Sequence, residues 1–239
     1  MGTWTLRHRI RWFVDHVRRR GLSEIRRRLQ RYTTAQGRAA AKRRRDDATN
    51  FDAAHAYQTN EIIALDDLSI SSDTSSSRHY EATPVYDINS SLELLDLPTA
   101  DTTFVDIGCG MGRPLLIAAD LPFKRVVGVE FARELLDIAA QNFARRALGR
   151  GPDDRIELIC SDATLMPIPD GPVAFFFCNS FGPPALGRLL QNIHTSWREN
   201  PRPIRFIYMN VQHPEAMESA KFRQAAVASN YQFIIYEPT

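Results

Sequence analysis

Residues 104–113 read Phe-Val-Asp-Ile-Gly-Cys-Gly-Met-Gly-Arg, and 22 positions after Gly108 a second apolar run, Arg125-Val126-Val127-Gly128-Val129-Glu130, ends in an acid. Phe104, Val105 and Ile107 suit a strand buried on both faces, as strands of parallel sheets are. The glycines at 108, 110 and 112 admit positive φ and let a ligand approach the backbone without meeting a Cβ. Met111 to Asp120 reads as the following helix, with Pro114 in the first turn, where its missing N–H is harmless. The start of that helix offers unpaired N–H groups to anything electron-rich. Glu130, at the carboxyl end of the next strand, is placed to accept two hydrogen bonds from ribose hydroxyls. The pattern therefore demands a parallel βαβ unit with a nucleoside-type ligand at its mouth.

The ligand is narrowed by what surrounds the glycines. A dinucleotide fingerprint, G-x-G-x-x-G, needs its third glycine where this chain has Arg113. Asp106, two residues before the first glycine, would repel a pyrophosphate but suits a cation such as an amino-acid ammonium. With these residues in place, Asp106-x-Gly108-x-Gly110-x-Gly112 resembles the first motif of class I S-adenosylmethionine-dependent methyltransferases, and Gly128-Val129-Glu130 their second. Arg155-Ile156-Glu157-Leu158-Ile159-Cys160-Ser161-Asp162-Ala163 resembles their third strand with its terminal acid. The resemblance implies S-adenosylmethionine as cofactor, with contacts at Asp106, Gly108, Cys109, Gly110, Gly112, Glu130, Phe131, Asp162 and Ala163. In that family the acid at the Asp162 position accepts from the adenine amino group; read by itself, Asp162 also suits the cap of a short helix.

A fourth strand, Pro172-Val173-Ala174-Phe175-Phe176-Phe177-Cys178, runs into Asn179-Ser180-Phe181-Gly182-Pro183-Pro184. Ligands of open α/β sheets sit beyond the carboxyl ends of the strands, so Asn179 should lie beside the cofactor. Its amide can present a carbonyl to an amine or an NH₂ to a carboxylate, and Phe181 can wall the methyl group from water; the plain alternative is a polar turn. The wording Phe-x-Asn-x-Phe-Gly-Pro resembles the non-SET histone-lysine methyltransferases and, more closely, their bacterial relatives. Those relatives carry a segment like Tyr80-Glu81-Ala82-Thr83-Pro84 before the first motif. The resemblance makes Tyr80, Glu81 and Thr83 lid contacts over the cofactor and Asn179 and Phe181 the residues at the reacting end. Ser180 stands where the histone enzymes have a second asparagine. His194 and His213 are the late histidines that a base-requiring acceptor would need. No Cys/His/Asp cluster shows metal-ligand spacing.

Net charge is +2, but residues 1–45 hold fourteen Arg and one Lys against Asp15 and Glu24, a net +13 that leaves −11 for the rest. This is a basic arm on an acidic domain. Leu6, Ile10, Phe13, Val14 and Val17 follow helical spacing within it. It reads as a helix on anionic lipid or RNA, as a mitochondrial presequence poor in serine, or as a solvated helix docked on its own acidic domain. No apolar run approaches the length of a membrane span. Three unpaired cysteines at 109, 160 and 178 suit a reducing cytoplasm.

The expected organisation is a basic helical arm over 1–50, a connector and cofactor lid with a flexible Ser-rich loop over 51–100, and a methyltransferase domain over 101–239. Helices are expected at Asp87–Leu95, Phe131–Leu148, Gly182–Arg198 and Glu215–Lys221. A fifth strand is expected at Pro203–Asn210, and a closing hairpin of Phe222–Ala228 and Tyr231–Tyr236 turns at Ser229-Asn230. The fold expected is α/β: a seven-stranded, mostly parallel, doubly wound sheet with a C-terminal antiparallel hairpin. The expected function is methyl transfer to an amine, perhaps a protein lysine. The alternatives are a small-molecule O- or N-methyltransferase and a non-catalytic cofactor-fold module tethered by the arm to nucleic acid or membrane.

Overall fold

The computed structural model of the chain describes residues 50–60, 63–64, 79–80, 82–228 and 233–239, the two short pairs by backbone alone. The basic arm up to residue 49, the Ser71–Ser77 loop, Glu81 and the Ser229-Asn230 turn lie outside the described residues. Two units are distinguished, Met1–Asp46 and Asp47–Thr239, and every described residue belongs to the second.

Seven strands form the sheet: β1 Thr103–Ile107, β2 Arg125–Glu130, β3 Ile156–Cys160, β4 Val173–Phe177, β5 Ile204–Met209, β6 Phe222–Val227 and β7 Phe233–Pro238. Their spatial order is β3-β2-β1-β4-β5-β7-β6. The first five are parallel, while β7 runs antiparallel both to β5 and to β6. The strand order reverses beside β1, with β2 on one side and β4 on the other. In a doubly wound sheet the ligand crevice opens at that reversal, beyond the carboxyl ends.

The unbroken apolar runs have a direct cause. Successive side chains of a strand point to opposite faces, and here both faces are covered. Val105, Ile107, Val127, Val129, Phe175 and Phe177 pack against Leu186, Leu189, Leu190 and Ile193 of helix α4 (Pro183–Glu199). Phe104, Val126, Ala174 and Phe176 pack the other way, against Ile88 of α1 (Val85–Glu93), Leu115 of α2 (Arg113–Ala119) and Leu136 of α3 (Arg133–Ala147). A last short helix, α5 (Pro214–Ser219), adds Met217 to the first core. Asp106, sharing the face of Phe104, is the one ionisable residue of β1, and it is 2% exposed.

Two helices begin two residues later than the sequence suggests, each for its own reason. α2 starts at Arg113 rather than Met111, because Gly110 and Gly112 take left-handed φ of 52° and 84°. α3 starts at Arg133 rather than Phe131, because the N–H groups of Phe131 and Ala132 are drawn to the Glu130 carboxylate. Among the described residues no helix is long and apolar enough to cross a membrane.

Candidate active site

The glycine turn is wrapped around an acid. Glu130 Oε2 accepts the Gly110 N–H at 2.9 Å, and Oε1 accepts those of Phe131 and Ala132, both at 2.9 Å. Burial raises the pKa of this carboxyl, and the three amides oppose that rise by favouring the charged form. Of a carboxylate's roughly four lone-pair positions, one is left for a ligand. Asp106 has no such support: among the described residues its buried Oδ2 has no hydrogen-bond partner. Burial first, and the nearby Glu130 charge second, push its pKa well above the ordinary value. Cys109, beside both acids, is likewise pushed up, chiefly by burial, which leaves an unreactive thiol.

Gly108 shows why its position admits no side chain. Its φ is 72°, and a Cβ there would fall 2.2 Å from Ser180 Oγ. Ser180 Oγ donates to the Ile107 carbonyl at 2.9 Å, so the loop after β4 is pinned against the turn after β1. That contact brings the two sequence-predicted parts of the site together, and only a small residue at 180 fits it.

Asn179 sits in that loop at a left-handed φ of 54°. Its Nδ2 donates to the carbonyls of Met209 and Asn210 at 3.3 and 2.9 Å, and its Oδ1 accepts the Tyr208 hydroxyl at 3.0 Å. The amide hydrogens that the sequence offered to a carboxylate are thus turned inward, tying the end of β4 to the end of β5. Tyr208 also accepts the His213 N–H at 3.3 Å, and burial pushes its own pKa up to about 12. His213 Nδ1 lies 3.2 Å from Glu215 Oε1. Of this chain of Asn179, Tyr208, His213 and Glu215, only Asn179 and His213 carry a sequence signal. Phe181 packs its ring 5.0 Å from that of Phe177, at the edge of the core.

The remaining expected residues are placed less evenly. Asp162 Oδ1 caps the 3-10 turn Ala163–Leu165 by accepting the Thr164 N–H at 2.8 Å, and Asp162 itself is exposed beside β3. Ala163 is buried in the core, and Phe131 is half-buried, its carbonyl 3.8 Å from Cys160 Sγ. Thr83 is buried and Tyr80 pairs by backbone with Ile63, while Glu81 lies outside the described residues. His194 is not at the site. It contacts the Thr239 carbonyl at 3.1 Å and the rings of Trp197 and Phe222. Phe222 pairs with Pro238 at the end of β7, which reaches the amino ends of the parallel strands.

The geometry defines a doubly wound α/β domain whose crevice joins a glycine turn to a polar loop. Residues 104–200 match the family model described as a methyltransferase domain. Among solved structures, a precorrin 8w decarboxylase from Methanobacterium thermoautotrophicum is 18% identical over 67% of this chain and 93% of its own, with a TM-score of 0.50. A ribosomal protein L11 methylase from Lactobacillus delbrueckii subsp. bulgaricus is 15% identical over 66% and 81%, TM-score 0.48. A SAM-dependent methyltransferase from Leishmania major is 12% identical over 64% and 73%, TM-score 0.49. No curated protein matches the chain. At these identities the structural likeness is one of fold. The matched stretch carries the glycine turn and both acids, which supports an enzyme that is an S-adenosylmethionine-dependent methyltransferase. The residues present fit that cofactor: Asp106 is a buried carboxylate with an unpartnered oxygen, which suits a cationic ligand and not a pyrophosphate.

Proposed function

We propose that this enzyme transfers a methyl group in line to an amine, of which a protein lysine side chain is one form. In this reading Asp106 and the turn Gly108–Gly112 with Cys109 hold the amino-acid end of the cofactor. Glu130 and Phe131 hold the ribose, and Asp162 and Ala163 hold the adenine. Thr83, with Tyr80 and Glu81, closes over it. S-Adenosylmethionine supplies an activated methyl group on a sulfonium. The protein's work is then mostly positioning, which is worth about 7–11 kcal/mol where donor and nucleophile are held near attack distance.

The amine reading is carried by Asn179. Because both its N–H donors go to Met209 and Asn210, the hydrogen-bonding capacity it retains is a carbonyl lone pair. A lone pair meets an N–H donor and repels a carboxylate. Phe181 supports the same reading as an apolar wall at the crevice edge. Lysine as the particular amine is supported by the resemblance of Phe177-x-Asn179-x-Phe181-Gly182-Pro183 to the non-SET lysine enzymes. The arm over 1–45, with its net charge of +13, is proposed to hold an anionic partner, either RNA or a lipid surface.

The test is incubation of the purified protein with methyl-labelled cofactor and a fractionated cell extract. Label stable to alkali and recovered as a methylated amine supports the proposal, and recovery as methyl-lysine supports its narrower form. Label that leaves as methanol on alkaline treatment identifies an ester and overturns it. Salt-dependent RNA and liposome binding, with and without residues 1–45, tests the arm; equal binding by both forms overturns its role.

A further inference from the structure

Arg113 occupies a position where fold stability does not call for an arginine. It is the first residue of α2, where the helix dipole disfavours a cation, and its side chain is 0% exposed, which is costly for a guanidinium unless it is well bonded. Its bonds run to two other parts of the chain. Nε donates to Thr59 Oγ1 at 2.7 Å, Nη1 donates to the Thr83 carbonyl at 3.3 Å, and Nη2 lies 3.8 Å from Asp52 Oδ2. Asp52 in turn accepts the Thr59 N–H at 2.8 Å and the Thr59 hydroxyl at 2.5 Å.

A second anchor reaches the turn from α3. Asn142 of α3 is fully buried. Its Oδ1 accepts the Gln58 N–H at 2.9 Å, and its Nδ2 donates to the carbonyls of Gln58 and Met111 at 2.9 and 3.0 Å. Met111 lies inside the cofactor turn and Arg113 ends it. Residues 52–59 are therefore bonded to the turn at two points, through two buried side chains more than 50 positions away in sequence.

We propose that residues 52–59 form a clasp on the glycine turn, with Arg113 and Asn142 as positioning residues, so that docking of the clasp and binding of the cofactor favour each other. The inference rests on the turn being the S-adenosylmethionine site. Its physical basis is linkage: a ligand that needs the turn in one shape stabilises whatever else holds that shape, and the effect is reciprocal.

Hydrogen exchange on the full chain reads this directly, because the Gln58 amide donates to the Asn142 anchor and the Thr59 amide to Asp52, which faces Arg113. Saturating S-adenosylmethionine should slow exchange of a peptide covering 52–60 by about fivefold or more. Asn142→Ala should speed that exchange and weaken cofactor binding about tenfold in calorimetry, as expected for loss of one or two buried hydrogen bonds. Asp52→Asn, which keeps an acceptor for Thr59 but removes the charge facing Arg113, should move both readouts the same way and less far. A merely structural clasp would be indifferent to the cofactor. Unchanged exchange at 52–60 while calorimetry shows binding overturns the proposal. Absence of any binding overturns the cofactor reading beneath it.

Discussion

The two ends of the crevice are built from different materials. At the proposed cofactor end, backbone amides converge on a carboxylate and glycines leave room for a ligand: Gly110, Phe131 and Ala132 all donate to Glu130. At the proposed acceptor end, side chains make the links: the Tyr208 hydroxyl donates to Asn179 Oδ1 and accepts the His213 N–H, and His213 Nδ1 meets Glu215. Backbone construction tolerates few sequences, so it leaves a readable motif. Side-chain construction admits many solutions, so it leaves almost none. The comparison predicts that damage at the first end weakens cofactor binding, whereas damage at the second slows transfer with binding intact.

The most severe break is Gly108→Ala, which strikes the junction of the two ends. A Cβ at 2.2 Å from Ser180 Oγ, added to a left-handed φ of 72°, should destabilise the fold by roughly 2–4 kcal/mol and abolish cofactor binding. The Ser180 Cβ, 2.3 Å from the added atom, is part of the clash, so Ser180→Gly should restore much of the thermal stability and Ser180→Ala should not. Equal recovery by both would show that the two ends are not in contact there.

Asp106→Asn separates binding from stability. It should weaken S-adenosylmethionine about 100-fold in calorimetry, as loss of a charged partner does, yet raise the melting temperature of the free protein. A carboxyl whose folded pKa is raised holds its proton more tightly in the folded state. Its contribution to stability is complete below the unfolded value, near 3.8, and is lost as pH rises through the higher folded value. The wild-type melting temperature should therefore fall with rising pH over that window, and the variant should lose this part of the slope. A slope unchanged in the variant would mean that Asp106 is not the group responsible.

Smaller effects belong to the acceptor end. Tyr208→Phe removes the donor to Asn179 Oδ1 and the acceptor for the His213 N–H, worth about 1 kcal/mol. Label transfer should drop about fivefold while the cofactor Kd stays put, and a shifted Kd would erase the division between the ends. The least effect is expected from His194→Gln, far from the crevice on α4, which should leave transfer within about twofold of wild type.

Much of this was legible because the residues that matter most are local. The strand, three glycines, helix and acid from Phe104 to Glu130 lie within one βαβ unit, where spacing alone fixes geometry. The starts of α2 and α3 each lie two residues beyond the expected ones, since a run of apolar residues reveals neither which glycines take a left-handed φ nor which N–H groups are already committed. In the sequence Arg113 stands out only as a departure from a dinucleotide pattern. Nothing in its neighbourhood pointed to Asp52 or Thr59, because a buried ion pair across 61 positions leaves no periodic trace.

By itself, then, the sequence determined the parallel α/β class and the glycine turn with Asp106 and Glu130, because hydrophobic period and glycine spacing act within a few residues, while its resemblance to the class I methyltransferases implied S-adenosylmethionine as the ligand. Tertiary structure alone decided that β7 slips between β5 and β6, that Ser180 fills the space left by Gly108, and that Asn179 turns its donors inward. It also decided that residues 52–59 close on the turn. Each of these depends on which distant side chains meet when the two cores pack, and that is settled by the whole fold at once.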